Sequence, residues 1–341
     1  MITRQQVIIE QHGRPDVMRV VSSPLPEPPS LELTVKVHAA GVNFADIMAR
    51  QGLYPDAPPL PMVVGYEVAG DVIAIGANVD PSWLGKRVVG MTRFGGYSSH
   101  VNVPLDQMFE IPPSLDYQKA ASIPVAYGTA YALVVAMGNL KKHETILIQN
   151  AGGGVGLAIL DIARHIGATT IGTASAQKHA FLLARGLDHA VDYRQADWSD
   201  QVMTLTDRRG VALITDPLGG ESWRKAGKLL RSTGRLGMFG ISAASDSGLL
   251  GKFKLIKTAI QMPFFHPVGL MNSNHGAFGV NMGHMWHEPE LIRLWMDEIL
   301  QGVAAGWVRP HVDKVFTFAE AAQAHTYIEQ RQNIGKVLLV P

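Results

Sequence analysis

Residues Gln149–Leu157 read QNAGGGVGL. Glycines occupy positions 152, 153, 154 and 156, and no charge interrupts the run. Glycine loses more conformational freedom on ordering than any other residue, so such a run needs a compensating use. The flanks supply one. ETILIQN (Glu144–Asn150) carries Thr145, Ile146 and Ile148, β-branched residues suited to a short buried strand. GLAILDIARHIGA follows, with Leu157, Ile159, Leu160, Ile162, Ala163 and Ile166 at helical spacing and Gly167 as an exit. The glycines therefore sit on a strand-to-helix turn. Ala151, Gly153 and Gly156 match an A-x-G-x-x-G form of the dinucleotide fingerprint, with Gly154 and Val155 inside it. One small residue permits the tight turn, the next lets a pyrophosphate approach the backbone, and the last packs the helix close to the strand. The helix N-terminus then faces the phosphates. A purely structural glycine turn is the competing reading.

The chain has 341 residues, too many for one ordinary core, so two domains are expected. With 47% hydrophobic and 17% charged residues and a net charge of +1, the composition is that of a globular protein. No basic run or stripe points to nucleic acid. The absence of cysteine excludes disulfides, cysteine zinc sites and cysteine nucleophiles. The start, MITRQQVIIEQHG, is strand-like and lacks the apolar core of a signal peptide, which is compatible with a cytoplasmic location. Ala120–Leu140 is uncharged and long enough to span a bilayer, but Pro124, Gly128, Gly138 and Asn139 interrupt it. A buried helical link between two domains is the expectation, with no integral membrane segment.

Texture changes along the chain. LELTVKVHAAGVN, VVGYEVAGDVIAIG and KRVVGM read as strands in a β-rich first part. From about Ser122, strands and helices alternate through ILIQN, TTIGTAS, HAVDY, VALITDP and RLGMFG, which implies a parallel sheet with helices on both faces. PELIRLWMDEILQGVAAG and FAEAAQAHTYIEQR are amphipathic helices, and KVLLVP is a terminal strand expected to pair with the β-rich part.

At this point the chain resembles the medium-chain dehydrogenase/reductase superfamily. Within it, the chain is similar to the zinc-independent quinone oxidoreductases and closest to the branch of vesicle amine transport protein homologues. AGVNFADIMARQGLYP (Ala40–Pro55), VVGYEVAGDV (Val63–Val72), AGGGVG (Ala151–Gly156), DPLGG (Asp216–Gly220) and NIGKVLLVP (Asn333–Pro341) carry the resemblance. It implies an α/β protein: a GroES-like β-rich catalytic domain at 1–122 and 276–341, and a Rossmann doubly wound parallel-sheet domain at 123–275. The cofactor would lie in the cleft between them. Zinc relatives hold their metal with a cysteine three residues before an aspartate and a histidine in G-H-E. Here Asn43 precedes Asp46, and the triplet is Gly65-Tyr66-Glu67, so no zinc is expected. His284 and His287, in HMWHE, match neither H-E-x-x-H nor H-x-x-E-H and read as a polar loop.

An NAD-preferring site places an acid at the end of the second strand, about 20 residues past the turn. Ser175 stands there, no carboxylate appears from Gly172 through Leu187, and Lys178 follows. A lysine pairs with a 2′-phosphate that an acid would repel, so NADP(H) is the expected cofactor. The resemblance implies that Lys178 and Tyr193 bind the adenosine phosphate. It further implies that Thr129 begins a helix under the nicotinamide, and that Phe239, Gly240, Phe278, Val280 and Asn281 flank its ring. Asn43 would bond near the ribose or the substrate oxygen, and Asn333 would belong to the cofactor site. Tyr54 matches the proton donor of enoyl thioester reductases; a phenol of pKa about 10 keeps its proton at neutral pH. A cleft-lining tyrosine without chemistry is the alternative.

The expected function is NADPH-dependent hydride transfer to quinones or activated alkenes. An enoyl thioester reductase using Tyr54 and a non-catalytic NADPH-binding interaction protein stay open. A homodimer is expected through an apolar Rossmann edge, RLGMFGI, which unpaired would invite aggregation. Leu249–Phe265 reads as a substrate wall, a lid or a membrane-surface contact.

Overall fold

The computed structural model describes residues 2–242 and 256–341. They form two compact units. One comprises Met1–Gly128, Gly283–Gly306 and Pro310–Pro341, and the other comprises Thr129–Met282 with Trp307–Arg309.

The first unit is β-rich. β1 (Ile2–Ile9) and β2 (Met18–Leu25) form an antiparallel pair. The larger sheet uses β3 (Glu32–Val42), β4 (Glu67–Ile75), β5 (Arg87–Met91), β6 (His100–Pro104) and β7 (Met108–Glu110). Leu33, Val35 and Val37 of β3 are buried, placing alternate apolar positions in the core with Val68, Val72, Val88 and Val101. After β7 comes a short helix at Tyr117–Ala121, and the uncharged stretch continues as the helix Pro124–Tyr131 and a π-helical turn at Ala132–Ala136. The division between the units falls within Pro124–Tyr131. Thr129 is therefore in mid-helix rather than at a helix start, because Pro124 has already set the first turn. Among the described residues no helix is long and apolar enough to cross a membrane.

Among the described residues the second unit carries a six-stranded parallel sheet. Its strands are β8 (Thr145–Ile148), β9 (Thr169–Ala174), β10 (His189–Asp192), β11 (Val211–Asp216), β12 (Leu230–Met238) and β13 (Gly276–Gly279). Their order, β10-β9-β8-β11-β12-β13, reverses at β8. Ligands of such sheets bind beyond the carboxyl ends of the strands at this reversal, and the glycine turn lies there.

Two expectations change here. β13 joins this sheet, so the second unit runs through Met282 rather than stopping at 275. β12, which contains the Arg235–Met238 part of RLGMFGI, pairs with β11 on one side and β13 on the other, so it is no edge. Among the described residues the edge on that side is β13. Of the stretch Leu249–Phe265, residues 249–255 lie outside the described residues. The remainder begins with a helical turn at 256–261 and exposes Ile256, Ile260 and Phe264.

The chain then returns to the first unit through the helix Pro289–Ala304 and β14 (Val312–Thr317). After the helix Ala321–Glu329, β15 (Lys336–Val340) pairs parallel to β14 and antiparallel to β3. The larger sheet thus has the order β14-β15-β3-β4-β5-β7, with β6 on β3.

Candidate active site

The glycine turn leaves β8 at Gln149, whose N–H donates to Thr215 O at 3.0 Å, and Ala151 N–H donates to Thr173 O at 3.0 Å. Asn150 adopts φ 56°, and Gly153 caps the helix Gly154–Ile166. A Cβ on Gly156 would stand 2.4 Å from Asn150 O and 2.7 Å from Ala151 O, so only glycine lets the helix come this close to the strand. A Cβ on Gly152 would stand 2.9 Å from Lys178 Cδ. The lysine expected from sequence is thereby brought onto the glycine turn, buried along its stem. Ser175 is buried at the end of β9, and its carbonyl accepts the Lys178 N–H at 2.9 Å. Asp192 accepts from Ala176 N–H at 3.3 Å, tying this turn to the end of β10, where half-exposed Tyr193 follows. The backbone cradle, the first helical turn free of acids and the buried lysine fit the diphosphate and 2′-phosphate of NADP(H).

The loops at the ends of β11, β12 and β13 are held together. Phe239 N–H donates to Asp216 O at 3.2 Å, Val280 N–H donates to Met238 O at 2.8 Å, and a Cβ on Gly240 would make a tight contact, 3.0 Å from Pro217 O. The Phe278 ring covers Gly237, and Asn281 follows it.

The first unit holds a buried polar network centred on Asn43, which precedes the helix Phe44–Gln51. Its amide is largely committed. Oδ1 accepts from Lys336 Nζ at 2.6 Å, and Nδ2 donates to Glu67 Oε1 at 2.9 Å and more weakly to Gly41 O at 3.4 Å. The structure thus gives Asn43 internal partners in place of the open amide expected for a ligand; only its weakly used second N–H is available. Lys336 also forms an ion pair with Glu67, whose other oxygen accepts from Val125 N–H at 2.8 Å in the first turn of Pro124–Tyr131. A Cβ on Gly41 would collide with the Glu67 carboxylate.

Asp46 is fully buried. It accepts from Asn43 N–H at 2.8 Å, Gly65 N–H at 2.9 Å and Tyr97 hydroxyl at 3.0 Å. Burial outweighs these donors and raises its pKa to about 7. The Tyr97 hydroxyl also meets His325 Nε2 at 3.1 Å, and Arg50 links His325 Nδ1 at 3.3 Å to Glu329 at 2.6 Å. Burial, then the Arg50 charge, holds His325 well below the usual imidazole range. Lys336, Glu67, Tyr97 and His325 were not read as site residues. Glu67 and Lys336 lie in the motifs that carry the resemblance; Tyr97 and His325 have no local signal.

Tyr54 lies half-buried in the loop after Phe44–Gln51, its ring edge-on to Tyr66 with centroids 6.1 Å apart. Asn333 donates from Nδ2 to Gly335 O at 2.8 Å and shapes the turn into β15. His284 Nε2 pairs with Asp56 at 2.7 Å. Among the described residues no group of three or more His, Asp or Glu is gathered to hold a metal.

A GroES-like unit bearing this network, with a Rossmann unit bearing an NADP(H)-shaped turn, defines the medium-chain dehydrogenase/reductase class, and the chain belongs to that superfamily. Residues 29–113 match the alcohol dehydrogenase GroES-like domain and residues 185–339 the zinc-binding dehydrogenase family. The chain is 35% identical over 338 residues to the human synaptic vesicle membrane protein VAT-1 homolog, covering 98% of this chain and 86% of the relative. It is 30% identical to mouse quinone oxidoreductase-like protein 2, covering 90% and 84%. The Escherichia coli quinone oxidoreductase structure, complexed with NADPH, superposes with a TM-score of 0.88 at 28% identity over the full length of both chains.

Proposed function

We propose that this protein is an NADPH-dependent oxidoreductase that passes hydride to quinones or activated alkenes without zinc. The observation that carries the reading is Lys178 packed on Gly152, with Ser175 where an NAD site would hold an acid. Reduced nicotinamide supplies the hydride. The chain's own residues bind, orient and exclude water. The glycine turn and Lys178 hold the phosphates, and Tyr193 lies beside the adenosine end. Phe239, Gly240, Phe278, Val280 and Asn281 form the wall against the ring, and Thr129 lies on the helix beneath it. The Lys336–Glu67 pair keeps Asn43 fixed. The relatives named as quinone oxidoreductases support this class of acceptor. With Asn43 and Tyr66 in place of thiolate and imidazole, the donor set does not suit zinc.

A second reading, an enoyl thioester reductase, would use Tyr54, whose ring packs edge-on to Tyr66, as its proton donor. A cytoplasmic homodimer completes the proposal, paired through the β13 edge. The test is loss of NADPH absorbance with a panel of benzoquinones and enones, alongside elemental analysis. Turnover with far less than one zinc per chain is expected. NADPH binding with no turnover of any acceptor would favour a non-catalytic interaction protein, and stoichiometric zinc lost together with activity would overturn the zinc-independent reading.

A further inference from the structure

The fold brings to the end of β9 an acid that the turn itself does not carry. β10 pairs parallel to β9 with Asp192 opposite Ala174, so its carboxylate reaches the turn that begins at Ser175. Asp192 Oδ2 accepts from Ala176 N–H at 3.3 Å. In an NAD site an acid at the end of the second strand bonds the ribose hydroxyls, and the same charge repels a 2′-phosphate. Asp192 does not stand there alone. Its Oδ1 accepts from Arg194 N–H at 3.0 Å and from Arg194 Nε at 3.2 Å. The Arg194 N–H outweighs desolvation and, with the guanidinium, holds the carboxyl below its ordinary range, so the acid is ionised and paired at neutral pH. The two partners differ in exposure: the aspartate side chain is 12% exposed and the arginine side chain 55%. Only Nε is used on Asp192, and among the described residues the two terminal nitrogens of Arg194 make no hydrogen bond. The surface that the pair turns to solvent is therefore cationic. Lys178 is placed differently, 7% exposed with its stem against Gly152.

We propose that Arg194 is a ligand of the 2′-phosphate of NADP(H), held in place by Asp192, and that this pair sets the choice between the phosphorylated and the unphosphorylated cofactor. The assignment rests on NADP(H) as the cofactor and uses only residues of the second unit. A guanidinium presents its donors as a fixed fork, which suits a phosphate on the terminal nitrogens while Nε stays on the carboxylate. Arg194 thus supplies charge to the phosphate and cancels the acid that would repel it. Its removal leaves Asp192 without its counter-charge beside Ala176, in the place of the acid of an NAD site. The unphosphorylated ribose then gains an acceptor for its hydroxyls, while a 2′-phosphate meets a bare negative charge. Arg194 is in this respect unlike Lys178, whose loss removes a phosphate contact and uncovers no acid.

The probes are adenosine 2′,5′-bisphosphate and 5′-AMP, the adenosine end of the cofactor with and without the 2′-phosphate, titrated into the full chain by calorimetry. The natural protein should prefer the bisphosphate by about tenfold or more. Arg194→Met keeps the aliphatic stem of an exposed side chain and deletes its charge. It should weaken the bisphosphate about tenfold or more and leave 5′-AMP unchanged or tighter. Adding Asp192→Asn removes the repelling charge and should restore bisphosphate affinity about threefold or more relative to Arg194→Met alone. Bisphosphate affinity within about twofold of the natural protein's in Arg194→Met, or an equal loss for both probes, would overturn the assignment of Arg194 and leave NADP(H) as the cofactor. A double variant that binds the bisphosphate no better than the single one would overturn the role given to Asp192. No preference for the bisphosphate in the natural protein would overturn NADP(H) itself, and the Arg194 contact with it.

Discussion

Lys336 Nζ lies 2.6 Å from Asn43 Oδ1, although 293 positions separate the two residues in sequence. The same ammonium neutralises Glu67, and the lysine and glutamate side chains are 6% and 0% exposed. Removing one member of a buried pair leaves an uncompensated charge and typically costs about 3–5 kcal/mol. Lys336→Met should therefore lower stability by about 3 kcal/mol or more, measured by chemical denaturation. The double variant Lys336→Met with Glu67→Gln should recover much of the loss. Equal destabilisation of single and double variants would rule out charge as the cause.

Asp46 gives a pH signature. Its pKa is raised from 3.8 to about 7, so the folded protein holds a proton that the unfolded chain releases. Its contribution to stability is fully present below about pH 4 and falls as the pH rises to about 7. His325 acts in the opposite sense, because the unfolded chain takes up a proton below about 6.5 that the buried ring refuses. Comparison with Asp46→Asn isolates the carboxyl. The stability of the natural protein relative to this variant should decline steadily between pH 4 and 7, read from melting temperatures in matched buffers. A flat difference across that range would contradict the raised pKa.

Lys178 should set cofactor choice. Its stem lies on Gly152 at the diphosphate turn, and charge-assisted bonds to phosphate are strong. Lys178→Ala should weaken NADPH about tenfold or more, while NADH changes by less than about threefold. Fluorescence titration of both reduced cofactors measures this. Tighter binding of NADH than NADPH to the natural protein would defeat the assignment.

Tyr54 separates two chemistries. If it donates the proton that completes alkene reduction, Tyr54→Phe should cut alkene turnover about tenfold or more at unchanged NADPH affinity. Quinone reduction places charge on oxygen, which water protonates, so quinone turnover should stay within a few-fold. We expect the second pattern for both acceptor classes, with Tyr54 acting as the ring against which Tyr66 packs. Steady-state kinetics on one enone and one benzoquinone decide it.

The strand-to-helix turn was legible because its information is local. Gly156 is set by backbone room that only glycine provides, and the missing acid near Ser175 is likewise read from adjacent positions. Hydrophobic period gave the α/β alternation and the terminal strand, since burial on one face repeats along each element. Edges were not legible: Arg235–Met238 reads as a strand, but whether a strand is flanked on both sides depends on β13, beyond the stretch outside the described residues. The Asn43 amide illustrates the same limit. The resemblance marks it as a residue bonding near the ribose or the substrate oxygen, yet its partners are Lys336 on β15 and Glu67 at the start of β4. His325 and Tyr97 carry no local motif, and their bond spans 228 positions. Patterning along a chain reports which faces are buried. Which buried polar groups find which partners is decided only when distant strands are brought into register.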